Sequence, residues 1–145
     1  MPDPYNLQRF LDAQNDVYDD VVRELNSGRK TSHWMWFIFP QIKGLGLSST
    51  ARHFAISSLD EARAYLQHPV LGARLRECTR LVNQIENASL DRIFGSPDNL
   101  KFRSSVTLFL KASDAGSADY QLFAAALEKY CRGEQDALTL SLLKS

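Results

Sequence analysis

From Leu7 onward, apolar residues recur at three- and four-residue steps, and each run is closed after a few turns by glycine, proline or a capping side chain. A chain patterned in this way folds as short amphipathic helices that must pack on one another to cover their apolar stripes. Leu7, Phe10, Leu11, Tyr18, Val21, Val22 and Leu25 predict one helix over residues 7–25, capped by Asn6 and stopped by Gly28. Ser58-Leu59-Asp60-Glu61 fits a capping box, with Ala62, Tyr65 and Leu66 facing inward, and His68-Pro69 ends that helix. Pro69 opens the next, whose stripe runs Val70, Leu71, Leu75, Cys78, Leu81, Val82 and Ile85. Ser89 caps a single turn ending at Gly95, and Ser96-Pro97-Asp98 starts a helix reaching Ala112. Beyond the polar residues 113–117, Tyr120, Phe123, Leu127 and Tyr130 mark a helix that stops at Gly133, and Asp136 caps a last one holding Leu138, Leu140, Leu142 and Leu143. The expected fold is mainly α: a single compact domain over residues 1–145, with six or seven helices and short loops.

Length and composition agree with this. At 145 residues and 44% hydrophobic, the chain is large enough for one core, too short for two comfortable ones, and too apolar for disorder. No apolar run approaches the ~18 residues of a membrane-spanning helix. Residues 1–10 are polar with no apolar h-region, so no secretory signal is expected and a cytoplasmic location is. Cys78 and Cys131 show no CxxC spacing and are expected as reduced thiols on apolar stripes. The 17 basic and 17 acidic side chains cancel, which argues against nucleic acid as the main partner.

One stretch departs from the scaffold pattern. Between Glu24 and Asp60 there is no carboxylate, while Arg29, Lys30, Lys43, Arg52, His33 and His53 all fall there, with both tryptophans, Trp34 and Trp36, beside Phe37 and Phe39. Cationic groups and glycine-turn N–H donors attract an anion, and an indole offers a flat face to a base or sugar. A helix opened by Ser48 or Ser49 at Thr50–His53 would add further free amides. The segment at residues 28–54 is therefore the candidate seat of a small phosphorylated or nucleotide-like ligand, on Lys30, His33, Trp34, Trp36, Gln41, Lys43 and Arg52. His33, ahead of His53, is the candidate acid or base. Lys101 or Arg103 would join them if their helix lies alongside.

Other roles stay open for the same residues. The tryptophans can equally fill the core, and the segment can serve as a protein-interaction surface or homodimer interface. No GxxxxGKS, GxGxxG, HExxH or GxSxG pattern is present, so no cofactor and no metal site is expected. No paired carboxylate accompanies His33, which leaves open whether the chain is an enzyme.

Several strings carry a family likeness. Ser27-Gly-Arg-Lys-Thr-Ser-His-Trp-Met-Trp-Phe-Ile-Phe-Pro-Gln41 with Gly44-Leu-Gly46, Tyr65 to Leu75, Ile93 to Asp98 and Leu100 to Phe109 together resemble the bacterial domain of unknown function 1810 across nearly the whole chain. The resemblance implies a mainly helical protein and carries no activity with it. Such sequences are sometimes labelled calpastatin, but a calpain inhibitor of that kind is an unfolded repeat chain, unlike the apolar stripes here. A fainter similarity, in the order of the aromatic segment, the His53 helix and the Pro69-led helix, is to the NADAR enzymes of ADP-ribose-linked compounds. Arg52 stands where their acidic residue precedes the histidine, so a shared glycosidic hydrolysis is not implied.

Overall fold

The computed structural model describes residues 3–144. Among them the chain forms α1 (Gln8–Gln14), α2 (Tyr18–Asn26), α3 (Met35–Ile38), α4 (Ser49–His53), α5 (Leu59–Gln67), α6 (Leu71–Gln84), α7 (Leu90–Phe94), α8 (Asp98–Ala112), α9 (Ala118–Cys131) and α10 (Ala137–Leu143). Side-chain caps are made where serine or aspartate precedes a helix. Ser48, Ser58, Ser89, Ser117 and Asp136 each accept the N–H of the residue three positions on. No helix is long and apolar enough to cross a membrane.

Ten helices appear among the described residues rather than six or seven, for two reasons. The helix expected over residues 7–25 is broken at Asn15–Val17, where Val17 leaves helical geometry at φ −123° and ψ −5°. The break turns Gln14 inward, where its Nε2 donates to the Phe37 carbonyl at 2.7 Å and to the Tyr65 hydroxyl at 3.0 Å. One unbroken apolar stripe could not have offered this buried amide its partners. Nor is Asn6 the cap of α1. Asn6 takes a left-handed backbone (φ 53°), and the Asp3 carboxylate accepts the N–H groups of Leu7 and Gln8 at 2.8 and 3.0 Å. The second reason is that the aromatic segment contains the short α3 and α4. Across α4 a parallel bridge joins Ile42 and Ile56, with the Ile56 N–H donating to the Gln41 carbonyl and the Lys43 N–H to the Ile56 carbonyl, each at 2.8 Å.

The core is aromatic and centred on α8. Phe102, Phe109 and the residues 104–108 between them are buried on all sides, with α5, α7, α9 and α10 packed around. Ser104 and Ser105, poor choices for a helix interior, are explained by this position. Ser104 Oγ donates to the Asp136 carboxylate at 3.2 Å and so ties α8 to the cap of α10, while Ser105 is fully buried. Ring pairs continue the packing: Phe39 meets Phe102 edge-on at 5.0 Å and Phe94 stacks on Phe102 at 5.1 Å.

Gly72 is required by close packing. A Cβ there, in the first turn of α6, would stand 2.1 Å from the Leu66 carbonyl oxygen in the last turn of α5. The Gly72→Ala variant must shift backbone, so it is expected to lose about 2 kcal/mol in a urea melt; an unchanged midpoint would show that the α5–α6 turn yields freely.

Candidate functional site

The anion-attracting turn at residues 29–34 already holds an anion of the chain's own. Glu24, buried at the end of α2, accepts the N–H groups of Thr31 (2.6 Å) and Ser32 (2.9 Å), the Ser32 hydroxyl (2.6 Å) and the Trp34 indole N–H (3.0 Å). Burial pushes this carboxyl upward, but the bonds from Ser32, Thr31 and Trp34 outweigh it and hold it at about 2. The amides of this turn are thus matched by a carboxylate that precedes the stretch in sequence and faces it in space.

The same holds for Lys30. Its ammonium lies 2.9 Å from Asp98 and 5.3 Å from the Trp34 ring, with its side chain only 8% exposed. Lys101 does lie alongside, as the sequence allowed, and it reaches the other oxygen of Asp98 at 3.4 Å while its ammonium covers the Trp36 ring at 4.9 Å. Arg103 instead bonds Glu134 and the Gln135 carbonyl. One carboxylate, two ammonium groups and two indoles therefore form a closed ladder between α3 and α8. Of the two roles open to Trp34, the structure places it in the core: it is 1% exposed and packs against Phe39 and Phe94. The Lys30 ammonium is enclosed against Asp98 and the Trp34 ring, so removing it takes a partner from a partly buried carboxylate and is a structural change.

Trp36 is half-buried under Lys101, Gln41 is half-buried with its carbonyl in the bridge, and His33 is exposed apart from any described cavity. Lys43 and Arg52 are the two candidates that the fold brings together at an open cleft. They line a cleft of about 490 Å³ between residues 4–9 and the 43–61 segment, with Tyr5, Arg9, His53 and Glu61. Both are exposed, and neither has an acidic partner among the described residues.

Arg9 builds this cleft. Its Nε donates to the His53 carbonyl (2.8 Å), Nη1 to the carbonyls of Tyr5 and Asn6 (2.6 and 2.7 Å), and Nη2 to Ala55 (2.9 Å) and Glu61 (2.8 Å). One guanidinium thus joins both walls and the floor. Glu61 completes the floor by accepting the N–H and hydroxyl of Ser57 at 2.9 and 2.7 Å. The capping box is met only in half, since Ser58 caps α5 but Glu61 reaches back to Ser57 rather than to Ser58. The sequence reading missed Arg9, Tyr5 and Glu61 as parts of this place. Arg9 bonds carbonyls 44 and 46 residues away, and no local pattern encodes that. His53 had a signal, its adjacency to Arg52 on the same short helix, and was ranked behind His33.

The thiols stand apart from the cleft. Cys78 is buried and pushed up to about 12 by that burial, and Cys131 is raised for the same reason. Neither is placed to act as a nucleophile.

The model of the family described as protein of unknown function (DUF1810) matches residues 4–143. Among solved structures, the conserved hypothetical protein Rv1873 from Mycobacterium tuberculosis, determined at 1.38 Å, is 55% identical. It matches with a TM-score of 0.94 over 99% of this chain and 99% of its own. No curated protein matches the sequence.

Proposed function

The chain belongs to the DUF1810 family of proteins of unknown function, and we propose that this member binds a small phosphorylated or nucleotide-like anion in the cleft lined by Tyr5, Arg9, Lys43, Arg52 and His53. The observation that carries this reading is the contrast between cations. Lys30, Lys101, Arg9 and Arg103 all have carboxylates of the chain itself, whereas Lys43 and Arg52 share a concave surface and have none. Two unpaired cations at the mouth of a cleft raise the local potential for an anion, and Glu61, the acid in its floor, is already matched by Arg9. Tyr5 supplies the flat face that the buried Trp34 does not.

The alternative is an interface built on the aromatic segment. It would rest on exposed Leu47 and on half-buried Trp36 and Phe37, because Trp34 and Phe39 belong to the core.

The test is calorimetric titration with inorganic phosphate, AMP and ADP, alongside thermal melts. The Lys43→Ala/Arg52→Ala double variant, changed only at exposed unpaired side chains, is expected to melt within about 1–2 °C of the native protein and to lose binding of every ligand that binds the native chain. Native-like affinity in the folded double variant, or no binding to the native chain across the series, would overturn the reading.

A further inference from the structure

A cavity of about 590 Å³ lies away from the cleft, where the end of α2 meets the end of α6 and the start of α7. Gly28 makes this junction possible. Its φ of +84° turns the chain sharply after α2, and a Cβ built on it would lie 3.7 Å from Ile85 Cγ2. Half-buried Leu81 and Ile85 form an apolar floor, backed from the core by Leu25. The carbonyls closing α6 are already bonded from α9: Tyr130 donates to Val82 at 2.5 Å, and Lys129 donates to Asn83 and Ile85 at 2.6 and 2.7 Å. The side-chain amides of Asn26, Gln84 and Asn87 therefore line the cavity with no backbone or side-chain partner among the described residues.

The charges on this cavity are of both signs. Glu86 and Arg92 line it together, both are exposed, and they form no ion pair with each other or with any other described residue. An unpaired acid and an unpaired base over an apolar floor are complementary to a zwitterion, with the carboxylate on the guanidinium and the ammonium on the carboxylate. Carboxamide side chains donate and accept together, as a peptide group does, and so suit a ligand with peptide bonds between its charged ends. The volume is that of a small-molecule site.

We propose that this cavity binds a short apolar peptide with free termini, its carboxylate held by Arg92, its ammonium by Glu86, its peptide groups by Asn26, Gln84 and Asn87, and a side chain on the half-buried Leu81 and Ile85. The inference does not depend on the anion cleft.

The experiment is titration of the ¹⁵N-labelled full chain with trileucine, its N-acetyl form, its C-terminal amide and the doubly blocked peptide. Free trileucine is expected to move the amide signals of Gly28 and Asn87 saturably. Blocking either end is expected to weaken binding about tenfold, the range of one lost charge-assisted hydrogen bond. Glu86→Gln should weaken free trileucine equally and make N-acetylation indifferent, and Arg92→Gln should do the same for amidation. The Lys43→Ala/Arg52→Ala variant should bind as the native chain does. Three results would overturn the proposal: no saturable shift, shifts confined to another face, or doubly blocked peptide bound as tightly as free.

Discussion

Replacing Glu24 with alanine is expected to cost about 3–5 kcal/mol, because it removes the single acceptor of four hydrogen bonds and strands the buried N–H of Trp34. The effect carries a pH signature. The folded-state value of this carboxyl lies near 2 against an ordinary 4.5, so the folded chain favours the ionised form. A group lowered in this way contributes its stability fully above pH 4.5 and loses it as the pH falls toward 2. The difference amounts to about 3 kcal/mol. Urea melts at pH 7 and pH 3 should therefore show the native protein losing ground on acidification, with a smaller loss for Glu24→Ala. Equal pH dependence in the two chains would show that Glu24 is not the ionised anchor of the turn.

Trp34→Ala should be comparably damaging, at about 3–5 kcal/mol, since the ring is fully enclosed between Phe39 and Phe94. For a domain of this size that is a fall in melting temperature of roughly 10 °C or more. Trp34→Phe separates the ring from its polar edge. It keeps much of the packing and loses the bond to Glu24, so it should cost about 1.5–3 kcal/mol. An alanine variant that melts with the native protein would place the indole outside the core. A phenylalanine variant as damaging as alanine would assign most of the cost to the bond with Glu24.

Together the two residues explain why a tryptophan-rich basic segment looked like a binding site. Composition marks residues 28–54 as anomalous, and folding answers part of the anomaly: Lys30 and the amides of Thr31 and Ser32 face carboxylates, while Lys43 and Arg52 do not. Those carboxylates come from α2 and α8. Glu24 precedes the stretch, and Asp98 follows it by more than forty residues. A linear reading shows the unbalanced half of each pair, and folding supplies the other half.

What remained legible were features set by local chemistry. Ser58, Ser89 and Asp136 cap the helices they precede because a cap needs only a side chain three residues from a free N–H. Gly28 closes the second helix because the left-handed turn there suits a residue without Cβ. The helix over residues 7–25 was misread for a related reason. Its apolar spacing continues through Asn15–Val17, and only the need of Gln14 for the Phe37 carbonyl and the Tyr65 hydroxyl shows why the chain bends there.

The sequence by itself determined the mainly helical fold, most helix ends and the family, because helical periodicity and capping act over a few residues. The tertiary structure alone decided which cations are free. Lys30 and Lys43 are indistinguishable by type and segment, yet one is enclosed against Asp98 and the other opens onto a cleft with Arg52. Availability for a ligand depends on long-range pairing, and the energy of a buried charge is set by whichever partner the fold brings within about 3–4 Å.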